Sequence, residues 1–301
     1  MAITPPVNLE ELKHLYIKIR SGEHEIRLNQ RNLAVLKNML DAPSETAAKS
    51  ISELAVENKI NVSAITRLAQ KLGFKGFPGL KGIFRDSLKQ RKNFYSEQVK
   101  NFLRKGDAEG DGKNTILKRV IQEEWSNVML MADTFDEERF QNIIQLMAHA
   151  ERILIVGLRG SYPLAHYLGF YLKMIRDQVH LIGLAGHTLS DDLAMLKPND
   201  LLVAISIKPY TKATVDACDM GKLQATNIIA ITDSPSSPLA MKTDNFLTTS
   251  AEGDYFFNPM ASAIICIEAL LSELVKELGE KAIERLQHTE YILGKLEAEI
   301  S

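Results

Sequence analysis

SISELAVENKINVSAITRLAQKLGFKGFPGLK, residues 50–81, reads as two short helices joined by a tight turn and followed by a basic tail. Ser50 and Glu53 form a Ser-x-x-Glu capping box, in which each side chain satisfies a backbone donor at the other's position. Ile51, Leu54 and Ala55 then recur at helical spacing. After Asn58-Lys59, Asn61 caps a second helix, and Ile60 staples onto Ile65 four residues past the cap. That helix turns Ile65, Leu68, Ala69 and Leu72 inward and stops at Gly73. Its other face offers Val62, Ser63, Thr66, Arg67 and Gln70. Short polar residues with one Arg and one Gln on the first turns suit base edges in a major groove.

Two amphipathic helices with a short turn also occur in domains that bind no DNA, so charge is the arbiter. Residues 1–105 hold 19 Lys+Arg against 10 Asp+Glu, a net of +9, and the remainder holds 17 against 28, a net of −11. A whole-chain charge of −2 thus hides a basic N-terminal third on an acidic body. Basic arms of this kind bind nucleic acid because neutralised phosphates release counterions. Lys71, Lys75, Lys81, Arg85, Lys89, Arg91 and Lys92 lie in or just after the second helix. As a group they suit phosphates, which position a protein without specifying sequence. Ser63, Thr66, Arg67, Gln70, Lys71, Lys75 and Lys81 are the expected contacts to a double-stranded DNA operator.

With 301 residues and 45% hydrophobic content, the chain is long enough for two domains with cores of their own. No run approaches the roughly 18 apolar residues of a membrane helix, and no secretory signal opens the chain, so a cytoplasmic protein without membrane contact is expected. Cys218 and Cys266 sit singly in apolar surroundings and read as buried reduced thiols. The seven His residues form no ligand cluster, so neither metal nor cofactor is expected.

Lys105 to Lys113 is rich in Gly and Asp and nearly free of apolar residues, which marks a flexible linker. The expected organisation is a DNA-binding domain over 1–90, a linker over 91–115 and a second domain over 116–301. A helix from about Leu28 to Leu40 completes the first domain. Ile116 to Met131 and Asp136 to Ala150 show helical periodicity and lead into the second, with Trp125 read as a packing residue.

From Arg152 onward strand and helix alternate. ILIV (153–156), HLIGL (180–184), LLVAIS (201–206), NIIAIT (227–232) and NFLTTS (245–250) are short apolar strands bounded by Gly, Pro, Asn or Asp. Helical stretches such as Leu164 to Ile175 and Thr211 to Leu223 fall between them. Continuous apolar runs separated by helices argue a parallel sheet buried on both faces. Ligands bind such sheets at the carboxyl ends of the strands, so chemistry is sought in the loops after Val156, Ile205 and Ile231.

The first loop, Gly157 to Ser161, lacks the Gly-x-Gly-x-x-Gly spacing of a dinucleotide site and is no Walker A loop. Its Gly157 and Gly160 permit close backbone approach, and Ser161 opens a helix whose amino end attracts an anion. The second loop, Ser206 to Thr211, places two hydroxyls and Lys208 before another helix start. Hydroxyls and amides at two adjacent helix amino ends make a cradle for one phosphate. The alternative is that Ser161, Ser206 and Thr211 merely cap helices.

With these motifs in place, the chain resembles the MurR/RpiR family of bacterial transcriptional regulators, over roughly residues 8–290. The resemblance is carried by SISELA, the Asn61 to Leu72 helix, LGFKGFPGLK (72–81), VGLRGS (156–161), LLVAISIKPYTKAT (201–214) and IIAITDSPSSPLA (228–240). It implies an all-α helix-turn-helix domain linked to an α/β sugar isomerase (SIS) domain with a five-stranded parallel sheet. It also implies control of carbohydrate metabolism by a small phosphorylated metabolite, typically a sugar phosphate, held by the loops 157–161 and 206–211; the expected contacts there are Gly157, Arg159, Gly160, Ser161, Ser206, Lys208 and Thr211, and the two cations suit a phosphorylated sugar acid. SIS domains often carry Ser-x-Ser-Gly-x-Thr in the second loop, and only Ser206 and Thr211 match its ends here. Lys208 supplies charge where amides are missing, and Arg159 can grip a second anionic group bidentately.

Gly186 to Asp192 follows the second strand; its hydroxyls could reach a sugar, but Ser190 is read as the cap of a helix opening at Asp191-Asp192. Glu252 to Phe257 precedes an apolar helix from Ala261 to Leu274, and its aromatics are read as core, the alternatives being a wall of the pocket or a subunit contact. The last helix, Glu280 to Ile300, is amphipathic. A single reading helix makes few base contacts, so a homodimer on two half-sites is expected. The competing class is a sugar-phosphate isomerase, for which Glu268, Glu252 and His187 are the available acid–base groups.

Overall fold

Polar side-chain caps open α1 (Leu9–Ser21), α2 (Gln30–Asp41), α4 (Ile51–Glu57) and α5 (Val62–Lys71); α3 (Pro43–Ala48) and α6 (Phe77–Lys92) complete the N-terminal helices. The computed structural model describes residues 4–92, 94–109, 115–183, 188–253 and 255–296, and the chain divides into two units between Glu97 and Gln98. Asn8 and Asn29 cap α1 and α2 through their side chains, and Gly22 closes α1 at a φ of 81°. Leu12, Leu36, Met39, Ile65, Leu68, Leu72, Leu80 and Phe84 are fully buried and form the core of this unit.

Of the stretch read as a linker, Phe94 to Glu109 is helical (α7), and 110–114 lie outside the described residues. Phe94, Val99, Phe102 and Leu103 give this stretch a helix former's pattern before the Gly/Asp run begins.

The second unit begins with α8 (Thr115–Asp133) and α9 (Glu137–His149). There follow β1 (Ile153–Val156), α10 (Tyr162–Ile175), β2 (Val179–Leu181), α11 (Leu189–Ala194), β3 (Leu201–Ile205), α12 (Lys212–Leu223), β4 (Asn227–Thr232), β5 (Phe246–Thr248), α13 (Ala261–Leu278) and α14 (Glu280–Lys295). All five strands are parallel, in the order β2-β1-β3-β4-β5. Alternate residues face opposite layers. Ile153, Ile155, Val203, Ile205 and Ile229 pack with α9, α10 and α13, while Leu154, Val156, Leu202, Ala204 and Ala230 pack with α11 and α12. This two-sided burial explains the continuous apolar strands. From β1 the chain crosses to β2 on one side and then to β3 on the other, so the switch point lies between the carboxyl ends of β1 and β3.

Three sequence expectations are corrected here. Trp125 is not a packing residue but 65% exposed, because α8 turns Asn127 and Val128 inward and leaves Leu117, Ile121, Trp125 and Met129 on a surface ladder. Thr188, not Ser190, caps α11, which starts at Leu189; Thr188 Oγ1 accepts from the Asp191 N–H. Of the aromatics after β5, Tyr255 is buried, but Phe256 and Phe257 are 59% and 42% exposed. Gly186 and His187 lie outside the described residues. No helix among the described residues is long and apolar enough to cross a membrane.

Candidate functional site

The α4–α5 unit is held by its own caps. Ser50 Oγ accepts from Glu53 N–H at 3.2 Å while Ser50 N–H donates to Glu53 Oε2 at 2.7 Å. The Ser50 side chain and then the Ser50 N–H, hydrogen-bonded to the carboxyl, hold Glu53 below its ordinary range. The turn uses Lys59 at a φ of 52°, with Ile60 N–H donating to the Ala55 carbonyl and Lys59 N–H to the Val56 carbonyl. That is a Schellman closure with a non-glycine residue in the left-handed position. The Arg31 guanidinium donates to the Lys59 carbonyl, and Asn38 donates to Asn58 Oδ1 at 2.9 Å, so α2 clamps the turn. Asn61 Oδ1 caps α5 by accepting from Ala64 N–H at 3.0 Å. At the other end, Gly73, at a φ of 91°, closes α5.

On α5, Ser63, Arg67, Gln70 and Lys71 are exposed at i, i+4, i+7 and i+8, opposite buried Ile65, Leu68 and Leu72. Lys75 is exposed just beyond. Thr66 is half-buried, its hydroxyl donating back to the Val62 carbonyl at 3.3 Å. Lys81 stands apart: its Nζ donates to the Lys49 carbonyl at 2.5 Å and closes α3. The side chains of Lys89, Arg91 and Lys92 lie outside the described residues.

At the switch point the two loops are stitched together. Ser161, buried, accepts from the Ile207 N–H at 3.2 Å, and Ser206, fully buried, accepts from the Thr211 N–H at 3.2 Å. Neither Ser161 nor Thr211 caps its helix through its side chain. The capping alternative therefore does not describe these hydroxyls. A hydroxyl that accepts an N–H keeps its own proton, so Ser161 and Ser206 each retain an O–H donor. Thr232, which the sequence did not single out, donates to the Ser206 carbonyl at 2.8 Å and fixes the second loop from β4.

Gly157 is required sterically: a Cβ there would sit 2.8 Å from Ala165 Cβ and 2.9 Å from the Ser161 carbonyl. Around Gly160 the space is open. Arg159 holds a φ of 54°, a conformation that strains a non-glycine residue, and its side chain is exposed. Lys208 is exposed on the facing loop. Buried Ser161 and Ser206, half-buried Thr211 and the exposed Arg159 and Lys208 lie together at the amino ends of α10 and α12, where backbone N–H groups favour an anion.

Other ionisable groups are placed elsewhere. At the opposite ends of the same strands, Arg152 grips Asp200 bidentately at 2.9 and 2.5 Å, and Lys197 N–H donates to the same carboxylate at 2.8 Å. Burial opposes the charge on Asp200, but the Arg152 and Lys197 bonds outweigh it and hold the carboxyl below its ordinary range. Burial pushes the thiols of Cys218 and Cys266 up to about 12, so both are protonated at neutral pH. Among the described residues there is no cluster of His, Cys, Asp and Glu able to hold a metal ion.

Against known proteins, residues 13–91 match the helix-turn-helix domain of the rpiR family and residues 146–273 match the SIS domain. This chain belongs to the RpiR family of transcriptional regulators. Its E. coli K12 relative YfhH, an uncharacterized HTH-type transcriptional regulator, is 25% identical over 291 residues, covering 93% of this chain and 98% of YfhH. Two solved structures share the fold of this RpiR-family chain. The sugar isomerase domain of an RpiR transcription factor from Sphaerobacter thermophilus superposes with a TM-score of 0.55 at 24% identity, over 57% of this chain and 97% of that one. The Vibrio vulnificus NanR protein complexed with ManNAc-6P gives 0.54 at 19% identity, over 94% and 98%. The helix-turn-helix and SIS assignments derived from the residues are thus those of the family.

Proposed function

We propose that this regulator adjusts its DNA affinity to a phosphorylated sugar or sugar acid bound between the loops 157–161 and 206–211. The observation that carries the reading is the pair of seryl hydroxyls that accept backbone N–H groups, Ser161 from Ile207 across the switch point and Ser206 from Thr211 within the second loop, and so keep O–H donors beside two helix amino ends. A phosphate dianion matches donors and cations together. Arg159 and Lys208 favour a ligand with a second acidic group, and the NanR complex with ManNAc-6P supports the sugar phosphate class.

The same reading makes the chain non-catalytic. Glu268, the carboxylate best suited to an isomerase's base, accepts the Tyr167 hydroxyl at 2.8 Å, a bond that raises the phenol's pKa. The reader is α5, with Ser63, Arg67 and Gln70 toward bases and Lys71 and Lys75 toward phosphates; Thr66 contributes its methyl, and Lys81 orders the unit. A homodimer in the cytoplasm, reading two half-sites, completes the proposal. Replacing Arg67 by Ala should weaken binding to the protein's own upstream DNA by about 1–3 kcal/mol if Arg67 reads a guanine, and relax specificity at one position. Uniform weakening across sequences would make it a phosphate contact; unchanged affinity would displace the reading helix. The effector is identified by titrating sugar phosphates and phosphorylated sugar acids against that DNA at fixed salt. A complex that no compound shifts would overturn metabolite control.

A further inference from the structure

A buried polar path leaves the proposed anion cradle and ends on α8. Its first link is Thr232, which donates through Oγ1 to the Ser206 carbonyl at 2.8 Å and accepts at its own carbonyl from the Thr249 N–H at 2.7 Å. Ser250, the next residue, donates through Oγ to Asn127 Oδ1 at 2.9 Å, and its carbonyl accepts the Ser262 hydroxyl. Ser206, Thr232, Thr249, Ser250, Ser262 and Asn127 are all buried. None of them was selected by the composition of a core, since each is a polar side chain that burial penalises unless it is bonded.

Asn127 makes three side-chain hydrogen bonds. Its Oδ1 accepts from Ser250 Oγ and from the Glu252 N–H at 3.0 Å, while its Nδ2 donates to the Glu252 carbonyl at 2.8 Å. With two donors facing one atom and an acceptor facing the other, the amide has a single orientation. One turn away on α8, Glu124 accepts from the Met260 and Ala261 N–H groups, both at 3.1 Å. Those are the first backbone donors of α13, whose own N-cap residue, Met260, contributes no side-chain bond. The loop between these two anchors is tight against α8: a Cβ on Gly253 would lie 2.9 Å from Pro259 and 3.2 Å from Glu123. Within the loop, Tyr255 stacks on Phe257 at 4.9 Å and tilts against Phe102 of α7 at 5.5 Å, with the Arg119 guanidinium over both Phe102 and Tyr255.

We infer that Asn127 and Glu124 are the residues through which the occupied cradle acts on α8, the helix that follows α7 in the chain leading from the DNA-binding unit. Hydrogen bonds in a row transmit nothing by themselves; transmission needs an element with two arrangements that both sites bias. We assign that part to the segment of residues 250–253 and 255–260. One set of bonds ties it to β4 and the second cradle loop, and another ties it to α8 and the start of α13. An anion that draws Ser206 toward itself shifts the Thr232–Thr249 contact, and the loop can follow only by moving with Asn127 and Glu124 or by breaking from them. The inference rests on the cradle being the effector site, and the two can fail separately.

Trp125, the single tryptophan of the chain, lies between Glu124 and Asn127 and is exposed, so its emission reports on this segment of α8 without a label. The test titrates the full-length protein with hexose 6-phosphates, N-acetylhexosamine 6-phosphates and phosphorylated sugar acids. Calorimetry reads binding, Trp125 emission reads α8, and anisotropy of the upstream DNA reads the output. In the wild type, a compound that releases heat also shifts Trp125 emission and changes DNA affinity by the 5–150-fold of ordinary allosteric coupling, an order-of-magnitude range. In Asn127→Ala, and in Glu124→Gln, the heat and the basal DNA affinity remain while both shifts shrink or vanish. Ser250→Ala, which removes one bond to Asn127, shows the intermediate loss and serves if the Asn127 variant does not fold. Full emission and DNA responses in folded Glu124→Gln and Ser250→Ala would overturn the inference and leave the effector site intact. Heat from no compound at all would overturn both.

Discussion

The two ends of the central strands β1 and β3 are built on opposite principles. At their amino ends, Arg152 and Asp200 close on each other bidentately, and Lys197 N–H completes the carboxylate's shell. At their carboxyl ends, Arg159 sits exposed in a strained left-handed conformation, Lys208 is exposed, and the seryl hydroxyls keep donors in reserve. One end is closed on itself by a bidentate ion pair; the other presents two exposed cations and a left-handed Arg159, and is the proposed effector site.

The largest effect should come from the ion-paired end. Arg152→Ala leaves a buried carboxylate without its cation and should lower unfolding free energy by about 3 kcal/mol, the scale of a broken buried pair. Effector affinity should not change. A loss below about 1 kcal/mol in urea denaturation, typical of a surface pair, would dissolve the contrast between the ends.

A pH series sharpens the same point. Asp200 has a folded pKa below its unfolded value, so its contribution is fully present above about pH 4, near the unfolded carboxyl pKa, and is lost as pH falls through the folded value. Between neutral pH and pH 3 the wild type should therefore lose more stability than Asp200→Asn, measured by thermal unfolding. Parallel curves would deny Asp200 this role.

Smaller and opposite in sign is Arg159→Gly. Glycine accepts the φ of 54° without strain, so the variant should gain about 1 kcal/mol of stability while its effector affinity drops. A gain in stability with unchanged effector binding would remove Arg159 from the cradle.

How much of this was legible in the sequence follows from range. Local chemistry was readable: the Ser50–Glu53 box, the Asn61 cap, the inward face of α5, and the bounds of β1 and β4 at Ile153–Val156 and Asn227–Thr232 all stand where residue patterns put them. Medium-range choices were less so. Thr188 and Ser190 offer equivalent caps two residues apart, and only the fold selects Thr188. The six-residue α3 carries no apolar stripe to betray it, and Trp125 takes its exposure from what α8 packs against. Long-range bonds were out of reach. Nothing near Lys81 says that its ammonium closes α3, and nothing near Ser161 says that its oxygen meets the Ile207 N–H rather than its own helix. Asn127 reaches Glu252 across 125 positions, which no spacing rule reads.

The most direct test of metabolite control through the proposed effector end is upstream-DNA binding by wild type and Ser206→Ala, each titrated with the same sugar phosphates at fixed salt. The expected result is that one compound changes wild-type DNA affinity, while the variant binds DNA equally well and ignores that compound. A Ser206→Ala protein that responds as the wild type does would contradict it.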